Sequence, residues 1–239
     1  MPLKAVLFDF NGVIINDEAI HQELLAELLI SENLRPVPGE FRSICLGKSD
    51  RVCLQELLER RGRIPNQVYL HQLMQLKSRS YQERLAAMEK LPIYAGLEDL
   101  IYKLRLEKFP LGIVSGAMRA EIDLVLERSN LGQYFSVIVA GDEIKTSKPD
   151  PEGYLLGAAK LAEMFPELAL QPSECLAIED TTLGMQAAKR AGMQVVGVAN
   201  TYPYHFVQRH CNWAVDYLWD LELERVQEVY AKSSSAVIK

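Results

Sequence analysis

The chain has 239 residues, 49% of them hydrophobic and 24% charged. That excludes intrinsic disorder as a description of the whole and leaves material for one or two packed domains. Its 26 basic residues against 32 acidic ones give a net charge of −6, the wrong sign for a general nucleic-acid binder, which needs a basic surplus to neutralise phosphates. Apolar runs such as 5–8 and 195–199 fall far short of the roughly 20 residues that span a bilayer, and the opening Met-Pro-Leu-Lys does not read as a secretory leader. A cytoplasmic protein without nucleic-acid or membrane partners, acting as a monomer, is expected. The four cysteines, Cys45, Cys53, Cys175 and Cys211, include no C-x-x-C pair and are expected to be reduced, mostly buried thiols.

In chain order, the first element is the apolar run 3–10 (LKAVLFDF). It is too short for a helix and is followed by the turn signal Asn11-Gly12, so it reads as a buried strand that delivers Asp9 to its C-terminal end. From 17 to 89 the texture is helical. Leu24, Leu25, Leu28 and Leu29 recur at helical spacing, then Leu54, Leu57 and Leu58, then Leu70, Leu73, Met74 and Leu76, with breaks at 35–39 and 62–65. This predicts a helical subdomain of four or so helices. After Pro92 strands and helices alternate. Helices are predicted over 97–107, 119–129, 152–164 and 182–191, and strands over 111–115, 136–140, 174–178 and 194–198. That rhythm predicts an α/β fold with a parallel sheet covered on both faces. A first strand, an all-helical insert and then the remaining units predict a discontinuous core, 1–16 and 90–239, carrying a cap at 17–89. The Ser-rich tail from Lys232 to Lys239 is expected to fray.

Ligands of an open α/β sheet bind beyond the carboxyl ends of its strands. Read that way, the first strand delivers Asp9 and Asn11, the second Ser115-Gly116, the third Asp142 and then Lys148-Pro149, and the fourth Glu179-Asp180. These acids, one lysine and one small hydroxyl would converge. Crowded acids need a cation or a proton to coexist. All-oxygen ligation suits Mg²⁺, while Ser115, the backbone N–H groups after it and Lys148 suit a phosphate. Each residue singly also fits a turn or a helix cap; their joint order, each after a strand, favours a site.

These motifs resemble those of the haloacid dehalogenase-like hydrolases, in the branch of beta-phosphoglucomutase and sugar-phosphate phosphatases. Asp9-Phe10-Asn11-Gly12-Val13-Ile14 resembles D-x-D-G-V-[IL]. Val114-Ser115-Gly116 resembles the hydroxyl motif, Lys148-Pro149-Asp150-Pro151 the K-P-x-P motif, and Glu179-Asp180-Thr181-Thr182-Leu183-Gly184 the acidic motif E-D-[ST]-x-x-G. The resemblance implies a Rossmann-like core with an α-helical cap. It implies a Mg²⁺-dependent phosphatase acting on a small phosphorylated metabolite, with Asp9 as the nucleophile that forms an aspartyl-phosphate. It implies Mg²⁺ held by Asp9, the backbone carbonyl of Asn11 and Asp180, with Glu179 ligating it or orienting its waters. Ser115, Gly116 and Lys148 would hold the transferring phosphoryl group.

Asn11 departs from the motif, which has an aspartate general acid/base there. An amide cannot exchange a proton in that role, and loss of such a group costs about 10²–10⁴-fold. A non-catalytic phospholigand binder therefore stands as the second reading, with a phosphomutase or a dehalogenase behind it. Within the cap, Gly47-Lys48-Ser49 resembles a substrate-specificity loop, with Asp50 then Arg51 in place of an immediate arginine. Lys77 and His21 match a cap lysine and histidine, so His21, Gly47, Lys48, Ser49, Arg51 and Lys77 are the expected cap contacts to substrate.

Overall fold

The computed structural model describes residues 2–235. Strand β1 (Ala5–Phe8) lies in the middle of a parallel sheet with β2 (Leu111–Val114), β3 (Val137–Val139), β4 (Cys175–Glu179), β5 (Gln194–Val198) and β6 (Trp213–Val215). The order is β3-β2-β1-β4-β5-β6. The direction of winding reverses between β1 and β4, which opens a crevice at their carboxyl ends. Phe8 is in register with Ile178, so Asp9 and Glu179 leave the sheet side by side.

Alternation within the strands sorts the two faces. Val6, Phe8, Leu111, Ile113, Leu176 and Ile178 pack on one side, against α4 (Leu97–Leu106), α5 (Arg119–Arg128) and α9 (Leu223–Ser235). Ala5, Leu7, Val137, Val139, Cys175 and Ala177 pack on the other, against α6 (Glu152–Met164) and α7 (Thr182–Arg190). The parallel α/β core expected from the rhythm of the chain is present, with β1, β2 and β3 shorter than expected and β4 and β5 of the expected length. The sequence reading misses β6 and the single turn α8 (Tyr204–Val207), because three-residue and one-turn elements have no period to detect, and it also misses the 13-residue α9. Helix α9 continues to Ser235 where fraying was expected from Lys232; residues 236–239 lie outside the described residues.

Between β1 and α4 the chain forms α1 (Glu18–Ser31), α2 (Asp50–Glu59) and α3 (Gln67–Ala86), with a five-residue π-helical turn at Phe41–Cys45 and no described strand. The leucines that set the helical spacing, including Leu25, Leu28, Leu54, Leu57, Leu70 and Leu73, close into one apolar cluster. Leu76 does not join them; it is 48% exposed, since it lies off the stripe that Leu70, Leu73 and Met74 define. Two chain segments join this layer to the sheet. Asn16 N–H donates to the Pro92 carbonyl (2.8 Å) and Tyr94 N–H to the Ile14 carbonyl (3.0 Å).

The cysteine expectation needs correction. Cys45 and Cys53 form a disulfide, with Cα atoms 4.7 Å apart; only Cys175 and Cys211 are free thiols. The spacing of eight says nothing of the reversal that brings the end of the π-helical turn against the first turn of α2.

Candidate active site

The site grows from the turn after β1. Asp9 N–H continues the ladder to the Ile178 carbonyl (2.9 Å), and Asp9 Oδ1 accepts from Phe10 N–H (2.7 Å). Gly12 then takes a left-handed φ of +80°, and a Cβ there would fall 1.9 Å from Asp180 Oδ2. Only glycine fits, because both the backbone conformation and the approach of the carboxylate exclude a side chain. Gly184 is bound to the site in the same way: its Cβ would lie 2.0 Å from Glu179 Oε1.

Asp9, Glu179 and Asp180 place ligand oxygens within 4.8 Å of one another, all buried. Lys148 reaches into this cluster, 2.8 Å from Asp9 Oδ2 and 2.6 Å from Glu179 Oε1. Tyr154 OH donates to Glu179 Oε1 (2.7 Å), Thr181 Oγ1 to Glu179 Oε2 (3.3 Å) and Thr201 Oγ1 to Asp180 Oδ2. Asp180 Oδ1 is buried with no hydrogen-bond partner.

The electrostatics follow from this crowding. Burial first, then the Glu179 charge, push Asp9 up to about 7 despite the opposing pull of Lys148. Burial, Asp9 and Glu179 push Asp180 well above the usual carboxylate range. Burial opposes the Lys148 charge, but Asp9 and Glu179 outweigh it and raise its proton affinity. The lysine stays charged, and the acids are the groups that give way. One lysine cannot neutralise three carboxylates, and an orphaned buried carboxylate oxygen is a vacant donor. The donor set is oxygen only, so the residues fit a divalent ion of the Mg²⁺ type.

Asn11 stands beside the acids. Its Nδ2 donates to Asp17 Oδ2 (2.9 Å) and lies 3.0 Å from His21 Nε2, which is itself 3.2 Å from Asp17 Oδ2. Tyr81 OH also donates to Asp17 Oδ2, and its ring stacks on His21 at 4.8 Å. Burial opposes ionisation of Asp17, but the His21 charge and the three hydrogen bonds outweigh it and hold its pKa below the usual range.

A cleft opens over these groups. Asp9, Asn11, Gly116, Lys148 and Asp180 line it from the sheet side; His21, Gly47 and Lys48 line it from the helical layer. Several expected contacts lie elsewhere. Ser115 sits behind Gly116, its Oγ accepting from Ala117 N–H (3.0 Å) and 3.5 Å from Asn11 Oδ1. Ser49 N–H donates to Ser147 Oγ (2.7 Å), and Arg51 donates to the Lys145 carbonyl. Lys77 is buried away from the cleft on Asp50 Oδ2 (2.6 Å). Asp142 accepts from Arg119 N–H and caps α5 instead of joining the acids.

The sequence reading overlooks Tyr154, Thr201 and Glu121. Thr201 was findable: it follows β5, and the rule that drew attention to the ends of the other strands applies there too. Tyr154 and Glu121 lie inside helices, where no local signal marks a residue that reaches a buried charge, here Glu179 and Lys77.

Comparison with known proteins agrees with this geometry. The chain matches the family described as haloacid dehalogenase-like hydrolase over residues 6–198. It belongs to that hydrolase family. Among its relatives, it is 30% identical over 204 residues to the beta-phosphoglucomutase of Bacillus subtilis (strain 168), covering 84% of this chain and 85% of that one. It is 27% identical to the phosphorylated carbohydrates phosphatase of Thermotoga maritima, covering 83% and 87%. The crystal structure of beta-phosphoglucomutase from Clostridium difficile superposes with a TM-score of 0.82 at 24% identity, covering 98% of this chain and 99% of that one. That likeness speaks for the fold.

Proposed function

We propose that the protein is a Mg²⁺-dependent phosphatase that hydrolyses a small phosphorylated metabolite of the sugar-phosphate kind through an aspartyl-phosphate on Asp9. One observation carries the reading: a buried cluster of three acids, with Lys148 2.8 Å from Asp9, opens at the sheet's reversal point onto the cleft. The names of the relatives, a phosphatase and a mutase of phosphorylated carbohydrates, support the substrate class. We further propose that residues 17–89 act as a cap on a core of 1–16 and 90–239, and that the protein works as a monomer in the cytoplasm.

In this mechanism an Asp9 carboxylate oxygen attacks phosphorus, an acyl-phosphate bond forms and the bond to the leaving oxygen breaks. Lys148 and the backbone N–H groups at Gly116 hold the transferring oxygens, while Ser115 supports that loop from behind. Water then attacks the same phosphorus, releases phosphate and restores Asp9. Asp9, the Asn11 carbonyl and Asp180 would hold the Mg²⁺, with Glu179 beside them; the ion supplies charge neutralisation to the phosphoryl group and keeps Asp9 ionised. The Asn11 side chain cannot carry the proton that the leaving oxygen needs. Of its two ionisable neighbours Asp17 is fully buried, and His21 lines the cleft.

The test is phosphate release from a panel of phosphomonoesters with and without Mg²⁺, on the protein and on Asp9→Ala. Mg²⁺-dependent release that Asp9→Ala abolishes is expected. Asn11 favours one other reading, a binder that retains the phosphate pocket without turnover. Tight Mg²⁺-dependent phosphate binding with no release from any ester would establish that instead.

A further inference from the structure

The wall of the cleft formed by the helical layer, together with the residues behind it, carries an unusual charge arrangement. Lys77, whose side chain has no exposed surface, is held 2.6 Å from Asp50 Oδ2 and 3.5 Å from Glu121 Oε1. Glu121 is likewise fully enclosed, and its Oε2 has no hydrogen-bond partner. Lys48, on the cleft wall, is held 2.6 Å from Glu56 Oε1. Lys48 on the cleft wall and Lys77 buried behind Asp50 are thus both spent on carboxylates, while Asp50 and Glu18 line the cleft. Leu25, Phe41 and Leu46 line the rest of that wall.

Resting on the phosphatase reading, we propose that Asp50 determines specificity. It neutralises Lys77, so the wall lined by Asp50 and Glu18 takes a substrate whose remainder bears no second anion and offers an apolar face. A phosphomonoester with an uncharged remainder meets Lys148 at one end and apolar wall at the other. A second phosphate on the same molecule would meet Asp50 and Glu18 with no free cation among the described residues of the lining. Like charges brought together in a desolvated cleft repel and select against that ligand. Replacing Asp50 by an amide of the same shape removes the repulsion and releases Lys77 from its closest partner. Glu121 remains within reach of the lysine, so the change in preference is moderate.

The experiment is calorimetric binding, in Mg²⁺ at fixed ionic strength, of inorganic phosphate, fructose 6-phosphate and fructose 1,6-bisphosphate to the intact protein, Asp50→Asn and Glu18→Gln. The intact protein should bind the monophosphate at least about 10-fold more tightly than the bisphosphate, and Asp50→Asn should shrink that ratio at least about 3-fold. Glu18→Gln, at the mouth of the cleft, should move the ratio in the same direction and serves if Asp50→Asn fails to fold. Equal or tighter binding of the bisphosphate by the intact protein, alongside clear binding of inorganic phosphate, overturns the specificity assignment and leaves the phosphatase reading standing. A ratio unmoved in every folded variant also overturns it. Absence of binding even by inorganic phosphate removes the phosphatase reading and this inference with it.

Discussion

In the proposed mechanism Asn11 stands where the proton carrier for turnover is expected. Its amide is oriented by Asp17 and stands 3.0 Å from His21, so an aspartate there would replace the amide at nearly equal size and face the same partners. Asn11→Asp is expected to raise Mg²⁺-dependent turnover at least about 10-fold, the low side of a general acid/base contribution. Steady-state kinetics on both proteins check this. Equal turnover at a healthy rate would mean that His21 or Asp17 already moves the proton. Gly12 is the other residue whose chemistry is fixed by its place. An added methyl meets Asp180 Oδ2 at 1.9 Å in a left-handed backbone, a conformation that costs an L-residue about 1–2 kcal/mol. Gly12→Ala should lower the melting temperature and displace Asp180 enough to remove the stabilisation that Mg²⁺ confers. A thermal melt that responds to Mg²⁺ as the original protein does would show that Asp180 is not a ligand.

At the scale of elements, the helical layer is tied to the core by apolar packing, with Ile20, Leu24, Tyr81 and Leu85 in the same cluster as the sheet residues, and by polar contacts beyond the paired connecting segments. Ser49 reaches Ser147, Arg42 reaches the Thr201 carbonyl (3.1 Å), and Arg128 on α5 holds the carbonyls of Leu85 and Met88. Helix α3, the longest of the layer, begins at Asn66, whose side chain accepts from Tyr69 N–H (2.8 Å). Asn66→Ala removes that cap from an exposed helix start and should cost about 0.5–1 kcal/mol. Denaturant unfolding measures it; an unchanged midpoint would mean that the start of α3 frays freely.

For the whole molecule, the acid cluster couples folding to pH and, under the proposed function, to metal. In the ion-free protein burial and Glu179 lift Asp9 to about 7. A carboxyl whose folded pKa is raised stabilises the fold most when protonated, and that contribution is lost as pH rises through about 7. A divalent ion must displace the proton, so its affinity rises over the same range. Mg²⁺ should therefore raise the melting temperature more at pH 8 than at pH 6. Equal shifts at both values would mean that Asp9 does not exchange a proton for the metal.

The sequence by itself determined the alternation of strands and helices after Pro92, the helical character of 17–89 and the acids at the ends of β1 and β4. These are local: period, turn residues and motif spacing act over a few positions. Tertiary structure alone decided which acids meet, because Asp142 follows a strand as Asp9 does yet turns away to cap α5. It decided that Lys77 is spent on Asp50, a pairing across two helices and 27 positions. It decided that Cys45 and Cys53 are bonded. It brought Tyr154 and Thr201 onto the acids, and it added β6 at the sheet's edge, where three residues form a strand only because β5 offers a partner. Long-range pairing of charges, thiols and strand edges depends on distances through space, and spacing along the chain does not encode them.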